Sequence, residues 1–211
     1  MLTDTYGRKF SYLRLSITDV CNFSCNYCLP DGYQCNSDRN FLTTTEISRI
    51  IATFAELGTK KIRITGGEPS LRKDLPEIIS IAKQTQGIET VALTTNAYKL
   101  YDHIESWIDA GLNALNISID SLDPRLFNTI TGHNKLPYIL KGIDKAFALG
   151  LKNIKMMAAD TFYVVIGILL IKMKILKIGV EIKRTLAFYL KSALGLIRYL
   201  MKLSGLMPFV S

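Results

Sequence analysis

Tyr12-Leu13-Arg14-Leu15-Ser16-Ile17-Thr18-Asp19-Val20-Cys21-Asn22-Phe23-Ser24-Cys25-Asn26-Tyr27-Cys28 reads as a strand that runs into a polar loop carrying three cysteines. The strand covers Tyr12 to Thr18, and the loop that follows sets the thiols at C-x-x-x-C-x-x-C spacing. Outward from this stretch, helix-like and strand-like patterns alternate. Thr44 to Leu57 places Ile47, Ile50, Ile51, Phe54 and Leu57 on one helical face, with Thr43 to Thr45 as N-cap candidates and Gly58 as a stop. Lys61 to Thr65 is predicted as a strand, Leu75 to Lys83 as a helix, and Thr90 to Thr95 as a strand. His103 to Ala110 is predicted as a helix closed by Gly111, and Ala114 to Ser118 as a strand. Leu136 to Leu149 continues as a helix closed by Gly150, and Asn153 to Met157 as the next strand. Strands that alternate with helices imply a parallel α/β sheet with right-handed crossovers.

In such folds chemistry collects at the carboxyl ends of the strands. The polar motifs fall there in succession. The cysteine loop follows the first strand and Gly66-Gly67-Glu68-Pro69 the second; Thr94-Thr95-Asn96 ends the third, Ser118 closes the fourth, and Lys155 lies on the fifth.

Three thiolates on so short a loop can each hold one iron of a [4Fe–4S] cube, leaving the fourth iron open to an exogenous ligand. A zinc site needs a further pair of ligands, and Cys35, His103 and His133 form no such pair. Four cysteines also allow three disulfide pairings. The polar opening Met1-Leu2-Thr3-Asp4-Thr5 carries no apolar signal segment, so a reducing cytosol is expected and the cluster reading is preferred. Cys35 reads as a bystander.

The segment from Leu13 to Pro30 resembles the opening of the radical S-adenosylmethionine (SAM) enzymes, and more narrowly that of the GTP 3′,8-cyclases of molybdenum-cofactor biosynthesis. The resemblance continues through Lys61 to Pro69, Leu93 to Asn96 and Ser118 to Asp123, and fades around Lys155-Met156. It implies a TIM-like (β/α)6 barrel, here incomplete, with four complete units and a fifth strand over residues 1–157. It also implies a [4Fe–4S] cluster on Cys21, Cys25 and Cys28, with SAM on the open iron. Tyr27, Gly66, Gly67, Glu68 and Ser118 match positions that contact SAM, and Gly66-Gly67 allow a tight turn and a close approach. Arg14, Arg63, Thr94 and Lys155 match positions that hold GTP. Buried cations on strands need anions, and arginine suits phosphate through its planar fork. The implied chemistry is one-electron cleavage of SAM by a reduced cluster, hydrogen abstraction from the ribose of GTP, and closure of the ribose carbon onto guanine. An electron donor is required, and members of the family are often homodimers. No general acid or base is identified.

Beyond Lys155 the chain departs from the family. Met157 stands where an Asn is expected, and Ala97 replaces the Gly that usually follows Thr-Thr-Asn. No cysteine follows Cys35, so the family's second cluster, which contacts guanine, is expected to be absent. Residues 158–211 turn to Ile, Leu, Lys, Met and Tyr. The net charge of +8 over 211 residues is concentrated there: from Asp160 onward eight basic residues face Asp160 and Glu181. The body is nearly neutral, which argues against a nucleic-acid partner. Phe162 to Ile171 is too short for the ~20 apolar residues of a membrane span. Arg184, Lys191 and Arg198 repeat at sevens, as on an amphipathic surface helix, although a reading-frame change near Met157 is the preferred reading of this segment. Two alternatives stay open: a non-catalytic remnant whose tail binds a membrane surface or partner, and a radical SAM enzyme acting on another substrate.

Overall fold

The computed structural model of the chain describes residues 2–34 and 41–157. The Cys35 reading and those on residues 158–211 lie outside them. A two-residue antiparallel ladder, β1 (Leu2–Thr3) with β2 (Lys9–Phe10), precedes the main sheet. That sheet holds β3 (Tyr12–Ser16), β4 (Lys61–Thr65), β5 (Thr90–Thr95), β6 (Ala114–Ser118) and β7 (Ile154–Met157). The five strands are hydrogen-bonded in sequence order, and every neighbouring pair is parallel. The connections run through α1 (Thr44–Glu56), α2 (Leu75–Gln84), α3 (Leu100–Asp109), and the pair α4 (Pro124–Thr131) and α5 (Leu136–Ala148). This is the parallel α/β sheet that the alternating pattern predicts and the partial barrel that the resemblance implies, with β3 and β7 as its edges among the described residues.

The helix boundaries follow local chemistry. Thr43 caps α1 with a full capping box: Glu46 N–H donates to Thr43 Oγ1 at 3.2 Å and Thr43 N–H donates to Glu46 Oε2 at 2.8 Å. Gly58 ends it at φ +92°, a conformation that costs glycine little. Helix α4 is absent from the sequence reading. It is only eight residues long, yet it has both punctuation marks: the Asp123 carboxylate accepts from the N–H groups of Arg125 and Leu126, Pro124 opens the first turn, and Gly132 closes it at φ +76°.

Strand register sorts the side chains into two faces. Leu13 and Leu15, Ile62 and Ile64, Val91 and Leu93, Leu115 and Ile117 face the helices and form one core with Ile47, Ile51, Ile78, Ile79, Leu100, Ile104, Trp107, Ile139 and Ile143. Each fully buried Ile or Leu in it contributes ~1.5–3 kcal/mol of apolar transfer. The opposite face is polar. Arg14 pairs with Arg63, Ser16 with Thr65, and Asn116 with both Thr94 and Lys155. A parallel sheet covered on both sides would be apolar throughout. The alternation here leaves one face for chemistry.

Ala97 is the only non-glycine described with positive φ, +62°, and it is fully buried. Ala97, at the position where the resemblance implies a glycine, therefore holds a left-handed turn, at a cost of roughly 1–2 kcal/mol for an L-residue in this region.

Candidate active site

The cysteine loop leaves β3 and is fastened from two sides. On one side Ser24 N–H donates to Thr131 O at 3.3 Å and Asn26 N–H to Ile130 O at 3.1 Å, both at the end of α4. Phe23 is buried there, stacked on His133 and edge-on to Tyr98 and Phe127. On the other side Gly67 N–H donates to Thr18 O at 2.8 Å and Glu68 N–H to Val20 O at 2.7 Å. Arg72 adds a brace, donating from Nη1 to the carbonyls of Ile17 and Leu42, while Asp74 holds its other edge. Within the loop, Cys28 and Leu29 N–H both donate to Cys25 O, which curls the backbone between the last two cysteines into a turn.

Cys21, Cys25 and Cys28 all border one cavity of about 200 Å³ at the carboxyl ends of the strands. Tyr27, Gly66, Gly67 and Ser118 line it as well, and so do Arg14 and Thr94 from the polar face. The structure thus brings nine of the twelve sequence-predicted site residues around one space. Arg63 lies on the same face of β4, two residues before the cavity-lining Thr65, and Lys155 on β7, one strand beyond Ser118; neither borders the cavity, and Lys155 is exposed. Arg14 Nη2 donates to Thr65 Oγ1 at 3.4 Å.

Glu68 is placed differently from its expected cofactor contact. It is 0% exposed, absent from the cavity wall, and both its oxygens are engaged. Oε1 accepts from Ser70 N–H at 3.0 Å and Thr95 Oγ1 at 2.6 Å, and Oε2 from Asn96 N–H at 2.6 Å. Burial pushes its carboxyl above the usual range, against the pull of these hydrogen bonds. Glu68 ties the end of β4 to the end of β5.

Gly66 and Gly67 likewise serve the fold first. A Cβ on Gly66 would stand 2.3 Å from Thr18 O, and one on Gly67 would stand 2.4 Å from Val20 O and 2.5 Å from Asp19 O. These glycines let the two site loops lie against each other. Gly67→Ala is accordingly expected to lose about 2–4 kcal/mol, read as a lower denaturant midpoint with an unchanged slope, since backbone must give way. A loss under about 1 kcal/mol would contradict this packing.

Asp120 is a site residue that the sequence reading left unassigned. It lines the cavity, and the Tyr27 hydroxyl donates to its carboxylate at 2.8 Å, bridging the cysteine loop to the end of β6. Its signal was its place two residues past Ser118, just beyond a strand end. Burial chiefly, then Asp120, pushes the Tyr27 phenol up. Burial also raises the thiols, Cys21 in direction and Cys25 to about 11, with nearby negative groups adding to the effect. Three thiols around one space need a positive partner to ionise together, and an iron cluster supplies one. No three His, Cys, Asp or Glu side chains among the described residues come together as a single-ion site. What the thiols share is the cavity, and that donor set fits a cluster with one sulfur per iron.

The model of the Radical SAM superfamily matches residues 15–172. The chain belongs to the radical SAM superfamily. That superfamily uses a [4Fe–4S] cluster with SAM. The chain is 56% identical over 154 residues to a GTP 3′,8-cyclase of Vibrio vulnificus, covering 72% of this chain and 46% of that protein. It is 60% identical over 158 residues to the enzyme of that name from Haemophilus ducreyi, covering 74% and 46%. The chain therefore spans about half the length of the curated relatives it matches. Among solved structures, SuiB of Streptococcus suis bound to S-adenosylmethionine superposes with a TM-score of 0.63 at 18% identity, over 78% of this chain and 38% of that one. The hydrogenase maturase HydG of Carboxydothermus hydrogenoformans gives 0.58 at 18%, over 70% and 35%. These two show the shared fold. No helix among the described residues is long and apolar enough to cross a membrane.

Proposed function

We propose that this chain is the cluster-bearing half of a GTP 3′,8-cyclase-type enzyme, acting in the cytoplasm on the triphosphate nucleotide. The observation that carries the reading is the convergence of three thiols and Arg14 on one cavity, in a chain 56–60% identical to enzymes of that name. A cluster held by Cys21, Cys25 and Cys28, with SAM bound, supplies reductive one-electron cleavage of a sulfonium once a donor has reduced it.

The chain's own residues bind and orient. The Gly66-Gly67 edge, Tyr27 and Ser118 form the SAM side of the cavity. Glu68 acts on that side only through the loop it braces. Arg14 and Thr94 open toward the polar face, where Arg63 and Lys155 add positive charge for phosphates. The fastened cysteine loop keeps the two ligands close.

The test is anaerobic reconstitution of the full chain with iron and sulfide. About four irons per chain and 5′-deoxyadenosine released from SAM under reductant are expected, with no cyclised guanosine product. Zinc alone, or no metal, would leave a non-catalytic chain as the answer. Cyclised product from this chain by itself would show that these residues suffice for the whole reaction.

A further inference from the structure

Asn116 is 3% exposed, a carboxamide in the middle of a parallel sheet, and it stands on the polar face beside Thr94 and Lys155. Burying such a group is costly unless it is hydrogen-bonded. With its amide turned so that the oxygen faces β4, it accepts from Arg63 Nε at 2.9 Å and from Arg63 Nη2 at 3.1 Å. The reverse orientation would set amide hydrogens against guanidinium hydrogens. The reach from β4 to β6 runs diagonally over β5, between Ala92, the register partner of Arg63, and Thr94, the partner of Asn116, and the small Ala92 side chain leaves room above the sheet. Tyr12 closes the other side, its ring centre 5.1 Å from the Arg63 guanidinium carbon.

The guanidinium is thus held by a ring and by one amide oxygen. That oxygen takes the side edge, Nε and one Nη, so the end edge formed by the two Nη atoms keeps a two-donor fork. Asn116 is neutral, so the cation is aimed without being cancelled. A carboxylate of the same shape would make the same two bonds and remove the charge.

We infer that Asn116 is a positioning residue, which presents the end-on fork of Arg63 to the polyphosphate of a nucleotide substrate. The inference rests on the nucleotide reading proposed above and adds to it the residue that sets the phosphate contact. Arg63 meets the anion; Asn116 acts only through Arg63.

The experiment measures binding of inorganic tripolyphosphate and, separately, guanosine to the full chain by calorimetric titration. Asn116→Asp is expected to weaken tripolyphosphate by about tenfold or more, because the new carboxylate competes for the same cation. Guanosine affinity and thermal midpoint should stay at the parent's values. Asn116→Ser, too short to reach the guanidinium, should weaken tripolyphosphate by about threefold or more. A folded variant of either kind that binds tripolyphosphate like the parent overturns the inference. So does an equal loss of guanosine binding, or failure of both variants to fold, since each marks a structural role. A parent that takes guanosine but not tripolyphosphate sinks this inference alone, and one that takes neither sinks the nucleotide reading with it.

Discussion

Glu68→Ala is expected to remove about 3–5 kcal/mol of stability, because it strips the acceptor from two backbone donors and one hydroxyl in a water-free place. Ser70 N–H and Asn96 N–H have their hydrogen bonds on this carboxylate. An orphaned buried donor costs ~1–3 kcal/mol, and nothing of Ala's size can replace the acceptor. Against a total stability of about 5–15 kcal/mol, such a loss brings the domain close to unfolding. Glu68→Gln keeps the shape and one acceptor but turns an N–H toward a donor, so a smaller loss is expected. Chemical denaturation reads both; a loss below about 1 kcal/mol for Glu68→Ala would show that the bridge from β4 to β5 is dispensable. The pH dependence has a definite sign. A carboxyl raised by burial binds its proton more tightly when folded, so its contribution is full below the ordinary value of 4.5 and fades as pH rises through the raised one. The stability advantage of the parent over Glu68→Gln should therefore be largest in acid and shrink toward neutrality. An advantage that grows with pH would mean that the three donors outweigh burial.

Much of this arrangement was legible because two periodicities and one punctuation rule do most of the specifying. The strands Thr90–Thr95 and Ala114–Ser118 match their predicted bounds, since β-branched and apolar residues there alternate with polar ones across a two-faced sheet. Arg14, Arg63, Thr94 and Lys155 come from the resemblance, and it is the strand register that places them on one face. Helix α3 begins at Leu100, three residues before its predicted start, because no side chain caps it and the sequence offers no start signal. Helix α4 had its signals, Asp123-Pro124 and Gly132, but eight residues give too few turns for a period to show.

The roles within Gly66-Gly67-Glu68 were the hardest to read. Glycines beside a carboxylate after a strand suggest a ligand edge, and both glycines do border the cavity. What the sequence cannot display is that the loop from Thr18 to Val20 presses on the same backbone, or that the carboxylate turns inward to Thr95 and Asn96. Those are contacts between segments 27 to 48 positions apart, set by crossover geometry and invisible to local pattern. Asn116 was hidden for a related reason. An isolated polar residue in a strand is ordinary until its neighbours are known, here an arginine two strands away that it meets on the diagonal.

Cys25→Ser should take the reconstituted chain from about four irons to less than one, with loss of the visible sulfur-to-iron absorption. A serine hydroxyl keeps its proton at neutral pH and is a hard, weak donor, whereas iron in these clusters selects soft thiolate. Cys21→Ser and Cys28→Ser should behave alike, because removing any one of three ligands leaves two irons open and the cube free to leave. Cys25 is the sharpest case: its thiol is raised to about 11 by burial and by Asp120, so the metal-free chain holds it protonated and only ligation to the metal draws the thiolate out. Cys35→Ser is the control, expected to keep its iron and its spectrum. Retention of about four irons by Cys25→Ser, or their loss from Cys35→Ser, would mean that a different set of sulfurs holds the cube.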